Sequence, residues 1–272
     1  MNVTALIENK SIHEELKAQH GLSLYIETKN HHILFDMGQD ASFISNAKKL
    51  GIDLTKVDIA IVSHGHYDHG GGLHDFLNIN QHAIIYLSKH AFEEHIKIIN
   101  EQEQLIGVKK PLDTHQVEFI NEDTVIDDEL TLISEITYQP SIIRDTLLFY
   151  KDHHTIKKEV FNHELYLVIN EEQRYTLFTG CSHKGIEHIV KEVEVKLMHS
   201  LQSVIGGFHF SHYHVSNEQE TNYLIQLGEK FNRSNTSNFY ACHCTGDDAF
   251  GVLKKHMKKK LHSLHTGEKI II

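Results

Sequence analysis

Apolar and polar positions near the N-terminus fall by turns into the strand period and the helix period. HGLSLYIETKNHHILFDMG reads as two short strands, Leu22 to Glu27 and His32 to Asp36, separated by the turn-prone pair Lys29-Asn30. ASFISNAKKLGI then spaces Phe43, Ile44, Ala47 and Leu50 at helical intervals, with Gly51 placed to end the helix. The run Ile59-Ala60-Ile61-Val62 has no polar face, which predicts a strand extending to Ser63 and buried on both sides. LHDFLN predicts a short helix, and AIIYL at 83 to 87 another strand.

The pattern weakens between about Ala91 and Asn162. A helix is expected around Phe92 to Asn100, followed by charge-rich weak strands such as TLISEIT and LLFYK, and roughly 95 to 160 reads as an elaboration on the core. Order returns with ELYLVIN and RYTLFTG, which predict a hairpin, and CSHKGIEHIVKEV, which opens a helix. LQSVIGGFHF, a helix at Glu218 to Phe231, FYACHCTG and a last helix at Ala249 to Lys260 complete a strand-to-helix rhythm. There is no internal repeat or low-complexity linker and there are only two prolines, so a single mixed α/β domain over 1–272 is expected.

Composition narrows the functional classes. The net charge is −11, from 26 basic and 37 acidic side chains, which opposes binding to nucleic acid or an anionic membrane. The basic run KKHMKKK, Lys254 to Lys260, fits the solvated face of a C-terminal helix. MNVTALIENK lacks a basic stretch followed by a long apolar run, and no segment is apolar for long enough to span a bilayer, so a soluble cytoplasmic protein is expected. Of the three cysteines, Cys242 and Cys244 are too close in sequence for a mutual disulfide in ordinary backbone, and reduced thiols fit best. The 25 histidines prove nothing by number, since most are expected to face solvent, as in the doublets His31-His32 and His153-His154.

One cluster stands apart from that background. SHGHYDHGGG, 63 to 72, follows the apolar strand directly. In extended backbone, residues two apart point the same way, so His64 and His66 can present both imidazoles to one point. Asp68 and His69 lie where the chain turns toward the next helix and form a second group beside the first. Imidazoles with a carboxylate suit zinc, iron or manganese better than calcium. Gly70, Gly71 and Gly72 are expected to ease the turn and to let a substrate approach. A histidine-rich surface loop is the plain alternative, but loops at the carboxyl ends of buried strands are where α/β proteins place their sites.

The residues spell His-x-His-x-Asp-His, and with them the chain resembles the metallo-β-lactamase superfamily. HGLSLYIET, HHILFDMG, the helix with Asn46-Ala47, IAIVSHGHYDHGGGL, TGCSHKGI, GGFHF and CHCTG look, in that order, like the dihydropterin-ribofuranosylaminobenzene-phosphate-synthase-like branch. The resemblance implies a four-layer αββα sandwich with metals at one edge between two sheets.

Three later segments could supply further ligands. TGCSHKGI places Cys181 and His183 in a loop between strand and helix. The resemblance puts Cys181 where the superfamily has a bridging Asp or occasionally Cys, and makes His183 the third histidine of the first metal site. A buried thiol and an idle helix-start histidine are the respective alternatives. FYACHCTG brings His243 to a strand end, where the family has the last histidine of the second site; a mononuclear Cys-His-Cys clamp is the less favoured rival. Cys242 and Cys244, opposite His243 in an alternating strand, are expected to pack away from the site. Thr245 and Gly246 precede a helix whose N–H groups could bind a phosphate or carboxylate. GGFHF offers His209, a replacement ligand or, by preference, a substrate-contacting acid–base residue. His212 and His214 lie near the same mouth. Asp36 is implied by the resemblance to be a buried carboxylate that orients a histidine.

Such a set implies two divalent ions, zinc first, with manganese, iron or magnesium as alternatives. His66 at the second position of the His-x-His pair favours zinc-like hydrolase chemistry over an iron redox centre. A bridging water made acidic by the metals would attack a small anionic substrate, with Asp68 orienting it. The branch's synthase activity and a non-catalytic metal sensor are the alternatives. FNHELYLVI departs from the branch, carrying His163 and Glu164 where relatives commonly have acidic residues, and a different substrate is expected if an acidic side chain there normally touches it.

Overall fold

The computed structural model of the protein describes residues 1–137, 147–153 and 155–272. His154 of the second histidine doublet, and 138–146 within the expected elaboration, lie outside them. Packing divides the chain into two compact units.

The first unit comprises Met1–Glu122, Arg144–Leu165 and His265–Ile272. Its seven-stranded sheet runs in the order Lys269–Ile271, Asn2–Ile7, Ser23–Glu27, His32–Phe35, Ile59–Val62, Ile84–Ser88 and Val117–Ile120. The first four of these pair antiparallel and the last four parallel. Ile59–Val62 sits within the parallel part and is buried throughout, as its unbroken apolar character requires. On one face Leu34, Ala60, Val62, Ile85 and Leu87 join a core with Phe43 and Ala47 of helix Ser42–Lys49 and with Leu73 and Phe76 of helix Leu73–Ile79. Asn46 fastens the first of these helices, its amide donating to the carbonyls of Leu6 at 2.8 Å and Lys17 at 2.9 Å.

The helix expected at Phe92 to Asn100 is instead a strand, Glu94–Ile99. It belongs to a second, antiparallel sheet in the order Thr155–Lys158, Leu148–Asp152, Glu94–Ile99, Gln102–Leu105. The short apolar run His-Ile-Lys-Ile-Ile suits either period, and its β-branched residues together with pairing on both sides decide for strand. Asn100 and Glu101, with φ of 48° and 63°, form the two-residue turn whose left-handed backbone matches the twist of the hairpin.

The second unit comprises Asp123–Ile143 and Tyr166–Leu264. Its seven strands lie in the order Leu261–Ser263, Asn238–Cys242, Leu201–Gly207, Arg174–Phe178, Tyr166–Glu171, Leu130–Ile133 and Thr124–Val125. Tyr166–Glu171 and Arg174–Phe178 form the expected hairpin. Arg174–Phe178, Leu201–Gly207, Asn238–Cys242 and Leu261–Ser263 are parallel neighbours, so their carboxyl ends share one edge of this sheet. Leu177, Val204 and Phe239 bury against Ile189 and Val193 of helix Ile186–Leu197, Leu227 and Phe231 of helix Glu218–Arg233, and Leu253 of helix Asp247–Met257. Among the described residues no helix is long and apolar enough to cross a membrane.

Candidate functional site

In the first unit the donors follow the end of strand Ile59–Val62 within a few residues. His64 is fully buried and His66 is extended, at φ −90° and ψ 145°, immediately before a single helical turn, Tyr67–Gly70, that carries Asp68 and His69. The ring of His64 lies 4.7 Å from that of His66 and 4.1 Å from that of His69, centroid to centroid. The Asp68 carboxylate is 3.8 Å from His69 Nε2 and 3.3 Å from Nε2 of His20, a residue the sequence pattern did not single out.

Beneath these rings a buried network settles which nitrogen each histidine offers. Asp36 accepts the Ser63 N–H at 2.7 Å with one carboxylate oxygen, and with the other the Ser63 hydroxyl at 2.7 Å and the His69 Nδ1–H at 2.6 Å. The single Ser63 hydroxyl proton is spent on the carboxylate, so Ser63 Oγ can only accept from His64 Nδ1, 2.9 Å away. Both histidines thus carry their proton on Nδ1 and the lone pair on Nε2, the tautomer a metal ion requires. Asp36 holds this position from a left-handed backbone, φ 60°, which aspartate tolerates better than most residues.

A further group of histidines backs the loop. His163 Nδ1 accepts the Gly65 N–H at 2.9 Å, between His64 and His66, and its ring lies 5.0 Å from that of His66. His66, His95 and His163 bring ring nitrogens within 4.8 Å of one another. His95, however, spends both of its nitrogens inside the protein, on Glu159 at 3.0 Å and on the His90 carbonyl at 3.1 Å. That cluster therefore supports the loop rather than forming a third ligand set. His163 and Glu164, the departure from the branch, are both buried.

The second unit gathers Cys181, His183, His209 and His243 at the carboxyl ends of its parallel strands Arg174–Phe178, Leu201–Gly207 and Asn238–Cys242. Donor atoms of Cys181, His183 and His209 lie within 4.8 Å of one another, and so do those of Cys181, His243 and Cys244. The rings of His183 and His209 are 4.1 Å apart, and that of His212 is 5.1 Å from His209. Ser182, His209 and His243 are left-handed, with φ of 60°, 56° and 48°, an uncommon backbone for such residues and one that gathers at functional sites. Hydrogen bonds lock the loops together: Ser182 Oγ to the Gly207 carbonyl at 2.7 Å, and the Phe210 and Ser211 N–H groups to the Cys244 carbonyl, both at 2.9 Å.

Three local expectations change. The strand ends at Cys242, and the left-handed His243 opens a 3-10 turn, so side-chain alternation fails there and Cys244 joins the cluster instead of packing away from it. Burial pushes the Cys244 thiol up, but hydrogen bonds with Cys181 and His209 and the charge of His243 and His209 outweigh it and hold the group well below the usual thiol range. Gly71 and Gly72 serve close packing rather than substrate approach, since a Cβ would meet the Gln39 carbonyl at 2.3 Å and the Met37 carbonyl at 2.4 Å respectively. The helix after Gly246 carries Asp247 and Asp248 in its first turn, and their charges repel the anion proposed for that end. Thr245 is spent on structure, accepting from the Phe208 N–H at 3.1 Å and donating to the Cys242 carbonyl at 2.8 Å.

The donor chemistry fits a transition metal. Imidazole nitrogens of fixed tautomer with a carboxylate in the first unit, and imidazoles with buried thiols in the second, each match zinc or iron, and thiols do not suit magnesium or calcium.

The metallo-beta-lactamase superfamily model matches residues 17–144. Over 260 residues the chain is 30% identical to Uncharacterized protein MJ0448 of Methanocaldococcus jannaschii, covering 93% of this chain and 94% of that protein. Over 270 residues it is 27% identical to the 7,8-dihydropterin-6-methyl-4-(beta-D-ribofuranosyl)-aminobenzene-5'-phosphate synthase of the same organism, covering 92% and 89%. The structure of Tm1679, a metal-dependent hydrolase of the beta-lactamase superfamily, matches with a TM-score of 0.82 and 26% identity over 100% of this chain and 99% of that one. In each unit of this chain a mixed sheet flanked by helices matches that α/β fold, and the chain belongs to the metallo-β-lactamase superfamily.

Proposed function

We propose that this protein is a metal-dependent hydrolase acting on a small substrate that bears a phosphate or carboxylate group. The metal ligands of the first unit are His64, His66, Asp68 and His69, and those of the second are Cys181, His183 and His243. They hold two divalent ions, zinc foremost. The observation that carries this reading is the Asp36–Ser63 network, which presents the Nε2 lone pairs of two buried histidines side by side.

Bound divalent ions would make water nucleophilic near neutral pH and offset negative charge developing on a carbonyl or phosphoryl oxygen. Asp68, steadied by His20 at 3.3 Å, orients the attacking water. His209, half-buried beside His183, contacts substrate and delivers a proton to the leaving group. The three cysteines, none of them in a disulfide, suit a reducing cytoplasm, where we place the protein. The net charge of −11 weighs against nucleic acid and anionic membranes as partners.

A second reading has its own support. The synthase relative, 27% identical, favours transfer between a pterin and a ribosylated aminobenzene phosphate, where metals held by the same donors would bind the phosphate. Zinc-loaded protein assayed against phosphoesters, lactones and thioesters, and separately with a pterin and the ribosylated phosphate, separates the two. Hydrolysis abolished by His64→Ala and Asp68→Ala supports the first reading. Turnover that survives complete demetallation would rule out both.

A further inference from the structure

We propose that Cys244 is a metal ligand alongside Cys181, so that the second unit supplies a pair of thiolates and selects a borderline-soft divalent cation, zinc, cobalt or iron(II), over magnesium or manganese. This rests on the reading of Cys181 and His243 as metal ligands.

Two consecutive residues of a strand point to opposite faces, and His243 and Cys244 would do so had the strand continued. It stops at Cys242, and the left-handed φ of 48° at His243 turns the chain so that donor atoms of His243, Cys244 and Cys181 come within 4.8 Å of one another. Space is kept for the sulfur by Gly207, where a Cβ would stand 2.4 Å from Cys244 Sγ and 2.8 Å from the Gly180 carbonyl. The neighbouring loops fix the turn from both sides, since Phe210 and Ser211 donate to the Cys244 carbonyl and Cys244 Sγ itself lies 3.5 Å from the Cys181 carbonyl. On metal loading each thiol gives its proton to the buffer and its sulfur lone pair to the cation. Two sulfurs beside imidazole nitrogens are the donor mixture of tetrahedral zinc sites, whereas hard cations prefer oxygen.

The wild-type protein loaded with cadmium-113 gives the test that needs no variant, because through-bond correlations from the metal to cysteine β-protons identify the bound thiols residue by residue. Correlations to both Cys181 and Cys244 are expected. A correlation to Cys181 alone overturns the inference and leaves the metal reading standing; stoichiometric cadmium seen by neither cysteine overturns the inference together with the placing of Cys181. Failure to bind cadmium, zinc or cobalt at all overturns the proposed function as well. In cobalt-loaded protein, Cys244→Ser should cut the sulfur-to-metal charge-transfer absorbance to roughly half, as loss of one of two thiolates requires. An unchanged band in that variant contradicts the proposal.

Discussion

Asp36 Oδ2 lies 2.6 Å from His69 Nδ1, and both side chains are wholly buried. Through Ser63 the same carboxylate also sets the orientation of His64. Asn in place of Asp36 tolerates the left-handed backbone and keeps the size, but its neutral amide offers one acceptor oxygen where the carboxylate offers two. Asp36→Asn should therefore lower metal affinity by about 10- to 100-fold with the fold retained. Competition against a chelator of known affinity measures this, and wild-type affinity in the variant would show that the carboxylate does not act on the ligands.

His163 supports the ligand loop from the other side by accepting the Gly65 N–H. His163→Ala leaves that buried amide without its acceptor, which costs about 1–3 kcal/mol. The loss should appear in chemical denaturation of the metal-free protein, so that it cannot be ascribed to weaker metal binding. A midpoint unchanged within error would mean that the amide finds another partner.

Glu159 holds His95 through one oxygen and the N–H groups of Val160 and Phe161, at 3.1 and 2.9 Å, through the other. Glu159→Ala removes three hydrogen bonds at once in a buried setting and should destabilise the protein by several kcal/mol, at about 1–3 kcal/mol for each group left unsatisfied. Calorimetric melting checks it. Metal stoichiometry at saturating zinc should stay at the wild-type value, because neither Glu159 nor His95 belongs to the proposed ligand sets.

Gly207→Ala forces a methyl group against Cys244 Sγ and the Gly180 carbonyl, at 2.4 and 2.8 Å before relaxation. Overpacking of this kind costs about 1–3 kcal/mol. The denaturation midpoint should fall, and the cobalt charge-transfer band should shift as the sulfur is displaced. A variant with wild-type stability and spectrum would show that the loops yield freely around Cys244.

Much of the fold is legible because its strands are apolar runs with sharp ends. Ile59–Val62 and Asn238–Cys242 announce themselves this way, and donor-bearing loops follow at their carboxyl ends. The segment Glu94–Ile99 is not legible as a strand, since a short run of isoleucines is read equally well at either period until its partners are known. Cys244 is misplaced by sequence alone because alternation holds only while the strand lasts, and the left-handed turn at His243 is a product of tertiary packing. His20 reaches Asp68 from a segment distant in sequence, and His163 reaches Gly65 across 98 residues, relationships that no local pattern encodes.

Metal content and turnover measured together, on wild type and on His64→Ala, bear most directly on the metal centre. Purified and zinc-loaded wild type should hold two ions per chain and hydrolyse a phosphate- or carboxylate-bearing substrate. Chelation should abolish that activity, zinc should restore it, and His64→Ala should lose both metal and turnover. Wild type that takes up no metal, or that turns over equally well after every ion has been removed, would contradict it.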